Sequence, residues 1–241
     1  VPIEFQRRCS GENHTIEVRR DGSVRTLDHD LPTLRAFAAF GAEKPPCLAA
    51  VEAWEDDPLG MLITPGKIRP RELGLIAARW GEMAAPIFWE DIVESGVPKE
   101  TERAVLENAL ELVRGFWEGD IGAQALQVGT REVGDLVAIS SGPQKEVARA
   151  VLHAVATTTR LLHTPQDGWI EFPDPAMKAA SEAIQTAEHA QEAVGWRTLI
   201  GVGTPLFDMP SKRQAFLDRI GAEVTARQVY EAIKILEELR S

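Results

Sequence analysis

The sequence predicts a mainly α fold, an antiparallel helical bundle or array preceded by a small N-terminal β-meander with two short helices. Three observations lead there. From Arg71 to His163, apolar residues recur at i, i+3, i+4 and i+7, the stripe that one face of a helix buries. The breaks between these stripes are a few residues long, which makes successive helices antiparallel neighbours. Only the first thirty residues alternate with a period of two.

The meander comes first. Ile3-Glu4-Phe5-Gln6 alternates apolar and polar, Ser10-Gly11-Glu12-Asn13 interrupts it, and Thr15-Ile16-Glu17-Val18-Arg19 alternates again. Asp21-Gly22 then reads as a type I′ hairpin turn, whose two central positions need positive φ, with Ser23 to Leu27 as the third strand. Asp30 can cap a short helix that turns Leu34, Phe37, Ala38 and Phe40 inward and ends at Gly41. Pro45-Pro46 starts a second helix, carrying Leu48, Val51 and Trp54, that stops at Asp56-Asp57-Pro58.

Residues 58–69, rich in proline and glycine, read as a linker between a unit over 1–57 and a helical domain over 70–241. Pro70 opens a long helix through Trp80 and Ile92, with Pro86 expected to kink it. The next helix, Glu100 to Trp117, lines up Leu106, Ala109, Leu110, Val113, Phe116 and Trp117, and Gly119-Asp120 ends it and caps a third through Val137. Gly142-Pro143 starts a fourth, reaching His163. After the loop Thr164 to Pro175, an Ala-rich helix is expected from Ala176 to Val194. An irregular stretch follows from Gly195 to Pro210, then two closing helices, Ser211 to Ile220 and Thr225 to Arg240.

Composition bounds the function. The chain has 241 residues, 44% hydrophobic and 26% charged, enough to fill a core without covalent staples. Its net charge is −11, from 37 acidic and 26 basic residues, so nucleic acid and anionic membranes are poor partners and a cationic protein is a natural one. Two cysteines are too few for a disulfide framework. Val1-Pro2-Ile3-Glu4-Phe5 lacks the charged-then-apolar pattern of a signal, and no run reaches the roughly 18 apolar residues of a membrane span. A cytoplasmic location is the expectation.

Candidate chemistry is sparse. Cys9, His14, His29 and Cys47 could together saturate a tetrahedral zinc, but their spacing matches no finger or ribbon, and they read better as buried thiols and turn histidines. No metal or cofactor is therefore expected. Asp28-His29-Asp30 has the composition of an oriented base, but neighbours in a strand point to opposite faces. His153 and His163 share one predicted helix about 80° apart. Glu188-His189 reads as a solvated face. Gly201-Val202-Gly203-Thr204-Pro205 lacks the lysine of a phosphate loop, and no serine sits in a nucleophile elbow.

Two acidic clusters, Glu52, Glu55, Asp56, Asp57 and Glu90, Asp91, Glu94, are the candidate surfaces for a basic partner. The leading expectation is thus a non-catalytic, acidic protein-interaction module, with a homodimer also compatible. The alternative is a small-molecule binder or enzyme. Its pocket would lie between the bundle and the loops 164–175 and 195–210, lined by Trp169, Trp196 and Phe207, with His163, Asp167 and Arg197 as polar groups.

Three pieces of the helical segment carry a family likeness. They are Ala77-Ala78-Arg79-Trp80 through Ala85-Pro86-Ile87-Phe88, Ala104 through Phe116-Trp117-Glu118-Gly119-Asp120, and Ala148 through Thr157 to His163. Over about 72–163 the chain resembles a helical family of immunity proteins from bacterial polymorphic toxin systems. The resemblance implies a cytosolic protein that neutralises a toxin by binding it, with a basic toxin domain as partner and no catalysis of its own. The meander and the segment after Thr164 lie outside it.

Overall fold

A computed structural model of the chain describes residues 2–5, 14–27, 31–39, 46–64, 66–89, 100–165, 168, 176–202 and 210–241. Among them, β1 (Pro2–Phe5), β2 (His14–Val18) and β3 (Val24–Thr26) form an antiparallel sheet in the order β1-β2-β3, with Ile3 opposite Ile16 and Val18 opposite Val24. The meander is therefore present as the alternation predicts. Ile16 and Val18, two apart on β2, are both buried, because a strand sends alternate side chains to one face.

The turn differs from the expected two-residue form. The Gly22 N–H donates to the Arg19 carbonyl (2.9 Å) and the Arg19 N–H to the Ser23 carbonyl (2.8 Å), so Arg20, Asp21 and Gly22 form a three-residue loop closed by Gly22 at φ 81°. Asp21 is what lengthens it: its carboxylate accepts both the Ser23 N–H and the Ser23 hydroxyl, holding Ser23 in the turn.

Helices α1 (Leu31–Ala39) and α2 (Pro46–Asp56) follow, and α2 lies on β2 and β3, burying Leu48, Val51 and Trp54 as their spacing foretells. Residues 58–69, expected to be a linker, instead hold α3 (Pro58–Leu62). Asp57 caps it by accepting the Gly60 N–H at 2.9 Å, and Pro58 occupies the first turn, where no donor is lost. Leu59, Leu62, Ile63 and Ile68 of this segment enter the same core as Ile16 of the sheet and Trp80 of the bundle.

Helix α4 (Pro70–Trp89) is central, lying against α5 (Glu100–Glu118), α7 (Gly142–Arg160), α8 (Ala176–Val202) and α9 (Pro210–Arg240), while α6 (Ala123–Ile139) lies against α5 and α7. Pro86 is inside α4, which continues to Trp89. Leu106, Ala109, Leu110, Val113 and Trp117 of α5 are buried, as their stripe requires. Gly119, at φ 92°, ends α5, with its N–H on Phe116 O and that of Asp120 on Gly115 O, the paired bonds of a glycine C-cap. Asp120 is thus spent on closing α5, and Gly122 rather than Asp120 is the N-cap of α6.

The two largest departures lie in α8 and α9. Helix α8 does not stop at Val194 but runs to Val202, and α9 is one helix of 31 residues rather than two. The buried stripe of α8, Ala179, Ala183, Ala187, Ala190 and Ala193, continues to Leu199 past Gly195. A methyl at Gly195 would meet Leu217 Cδ2 of α9 at 3.2 Å, so that glycine allows close approach instead of breaking the helix. Its cost in propensity, about 1 kcal/mol, is small beside burial of the continuing stripe.

Buried polar atoms tie the helices at specific points. The Trp80 indole donates to the Gln228 carbonyl at 3.0 Å, and the fully buried Gln228 side chain donates to Ala187 O at 3.0 Å and accepts from Gln191 at 2.8 Å, joining α4, α8 and α9. The Trp117 indole donates to Thr158 Oγ1 at 3.1 Å, joining α5 to α7. No described helix is long and apolar enough to cross a membrane.

Candidate functional site

The hairpin tip, the second half of α2 and the middle of α9 enclose an open groove of about 700 Å³. Sequence places each wall. Trp54, on the buried face of α2, donates from its indole to the Gly22 carbonyl at 3.2 Å and pins the turn to the helix. Gly22 lies where a methyl would meet Val229 of α9 at 3.7 Å, so the turn rests on both helices. An ion pair from Arg20 to Glu237 fastens the hairpin to α9 a second time.

The floor is apolar: Val24, Leu31, Val51, Trp54, Ala226 and Val229 line it. The lip is acidic, formed by Asp21, Glu55 and Asp56, with Arg35 from α1 donating to Glu55 at 2.9 Å. Asp21 is held below the ordinary carboxylate range by the Ser23 hydroxyl and N–H it accepts, so it stays anionic well below neutral pH. Three carboxylates against one guanidinium leave the lip net negative, above a floor able to take an aliphatic or aromatic side chain. Such an arrangement has the chemistry to take an amphipathic, cationic segment: apolar contact would supply burial and the lip would steer the charge.

Of the first predicted acidic cluster, Glu55 and Asp56 are on this lip and exposed, Glu52 is half-buried on α2, and Asp57 is engaged as the α3 cap. The second cluster, Glu90, Asp91 and Glu94, lies outside the described residues. Cys9, His29, Asp28 and Asp30 lie outside them as well; His14 and Cys47 are placed only by backbone, on β2 and α2. Asp21, Trp54 and the α9 residues Ala226 and Val229 were not legible as site residues. They meet only through tertiary contact between elements some 200 positions apart, although Asp-Gly did mark the turn.

The alternative pocket does not assemble from its described members. Helices α7 and α8 are antiparallel, with Glu146 beside His189 and His153 beside Glu182. His163, past the end of α7, and Trp196, seven residues beyond His189, therefore diverge toward opposite ends of the helix pair. Trp196 is exposed and Arg197 half-buried on the continuing α8, not in a loop; Asp167, Trp169 and Phe207 lie outside the described residues. The physical reason is the unbroken α8, which carries residues 195–202 away from the C-terminal end of α7.

No family model, curated protein or solved structure matches this chain.

Proposed function

We propose that this chain is a non-catalytic, acidic docking protein that binds a cationic partner in the groove between the β2–β3 turn, α2 and α9. The observation that carries the reading is the coincidence, in one concavity, of an apolar floor and an anionic lip on a chain of net charge −11. Long-range attraction brings a basic partner to the surface, and the floor holds it there. The resemblance of residues 72–163 to immunity proteins gives the partner its specific form, the basic domain of a toxin neutralised in the cytoplasm.

The test is co-expression with a toxin encoded beside this chain. Growth rescue and a 1:1 complex are expected, weakening as salt rises. Asp56→Lys cancels the lip's net negative charge and Ala226→Arg fills the floor; each is expected to weaken the complex at least tenfold with thermal stability unchanged. Wild-type affinity in both variants would contradict the reading.

A further inference from the structure

Helices α7 and α8 present the same spacing to each other. Glu146 precedes His153 by seven residues on α7, and Glu182 precedes His189 by seven on α8. Because the helices are antiparallel, the pairs cross: His153 Nδ1 is 2.6 Å from Glu182 Oε2 and His189 Nδ1 is 2.8 Å from Glu146 Oε2. The two rings stack with centroids 5.2 Å apart and planes 13° from parallel.

The two ends of this quasi-symmetric seam are not equivalent. Three residues after His153 stands Ala156, and Glu182 is answered by His153 and by Arg160 at 3.5 Å. Three residues after His189 stands Glu192, whose carboxylate approaches the same His189 nitrogen at 3.5 Å. Arg149, 3.0 Å from Glu146, answers one of these two carboxylates. With neutral imidazoles, the first end is balanced and the second carries one excess negative charge.

We propose that Glu146, His189 and Glu192 form a site for a divalent transition-metal ion, with Zn²⁺ as its representative. His189 Nδ1 and one oxygen of each carboxylate lie within 4.8 Å of one another. Zinc bonds of about 2.1 Å need tetrahedral ligand atoms about 3.4 Å apart. Glu192 already stands 3.5 Å from His189 Nδ1, and the 2.8 Å contact between His189 and Glu146 would open by roughly 0.6 Å around the ion. Glu192, with its side chain 58% exposed, can follow the ion, while Glu146 and His189, at 12% and 20%, supply two ligands already brought together by packing. The stacked His153 fixes the plane of the His189 ring, and Arg149 orients Glu146, the supporting contacts that a metal site requires. One imidazole and two carboxylates suit zinc or manganese better than Mg²⁺ or Ca²⁺, which take oxygen ligands, and the exposed side leaves coordination positions for water. The ion would brace α7 against α8 on a face separate from the groove.

Zinc titration of the EDTA-treated full chain, read by calorimetry and by elemental analysis after gel filtration, tests the site. One ion per chain is expected, with micromolar or tighter affinity and no competition from millimolar Mg²⁺. Glu192→Gln, at an exposed position, is expected to weaken binding tenfold or more while leaving the circular dichroism spectrum unchanged. Glu182→Gln, at the balanced end, should change it less than twofold. Absence of stoichiometric uptake overturns the proposal, as does wild-type affinity in Glu192→Gln. Binding lost in a Cys9→Ser/Cys47→Ser chain but kept in Glu192→Gln would likewise overturn it, moving the ion to the N-terminal cysteines.

Discussion

Arg240 of α9 makes a two-pronged ion pair with Glu72 of α4, Nε to Oε1 and Nη2 to Oε2 both at 2.8 Å, although 168 residues separate them. Glu72 is only 2% exposed and also accepts the Arg69 N–H at 2.8 Å, so it caps its own helix while receiving the end of another. Arg240 donates further to the Lys67 carbonyl at 2.9 Å. This latch holds α9, one wall of the groove, against the start of α4.

Removing the arginine strands a buried carboxylate. Arg240→Ala is expected to lower stability by about 2–3 kcal/mol, somewhat under the loss typical of a fully buried pair because Arg240 is partly exposed. Urea unfolding measures it. The double variant with Glu72→Gln should recover part of the loss, since the orphaned charge is then gone.

Gly74 sets two principles against each other. Helix propensity alone makes Gly74→Ala stabilising by about 1 kcal/mol. A methyl there, however, would meet Trp117 Nε1 at 2.0 Å and Cε2 at 2.5 Å, and the rigid indole is tethered to Thr158. The clash is expected to win, with a net loss of about 1–3 kcal/mol in thermal or urea unfolding.

Gly221 tests the continuity of α9. Nothing lies within 4 Å of a methyl built there, and the residue is inside the helix. Gly221→Ala is expected to stabilise the chain by about 0.5–1 kcal/mol. Were the helix broken at that glycine, as its sequence suggests, alanine would destabilise instead.

The Arg79–Glu231 pair, 2.9 Å apart, links α4 to α9 and has a definite pH signature. The hydrogen bond from Arg79 holds the Glu231 carboxyl below its ordinary range, partly opposed by burial. A lowered folded-state pKa contributes stability that is fully present above the unfolded value, about 4.3, and is lost as pH falls through the folded one. The advantage of the wild type over Glu231→Gln, about 1 kcal/mol or less at neutral pH given the exposure of Arg79, is therefore expected to shrink as the pH falls below about 4.3 and to be lost once the lower folded-state value is passed. Parallel urea titrations at pH 7 and pH 3 read this out.

Local patterns carried much of the architecture. The alternation around Ile16 and Val18, the stripe from Leu106 to Trp117 and the Pro143 start of α7 are all short-range signals, and each element lies where its signal puts it. What failed was punctuation. Gly195 and Gly221 look like helix ends in isolation, yet the first is a contact point for Leu217 and the second simply a weak position in a helix held by its neighbours. Pro58 looks like part of a linker, but with Asp57 before it the same residue starts α3. Sites were less legible still. Glu55 and Asp56 could be singled out as an acidic patch, whereas part of their apolar floor, Ala226 and Val229, comes from α9. His189, which reads as solvated beside Glu188, meets Glu146 only because α7 and α8 are antiparallel in one particular register.

The groove is the central claim, and amide hydrogen exchange of the chain alone and in complex with the basic toxin domain proposed as its partner tests it most directly. Protection is expected in the 19–24 turn, in the second half of α2 around Val51 to Asp56, and in α9 around Ala222 to Val229. Protection confined to other faces, with these three segments exchanging as in the free chain, would contradict it.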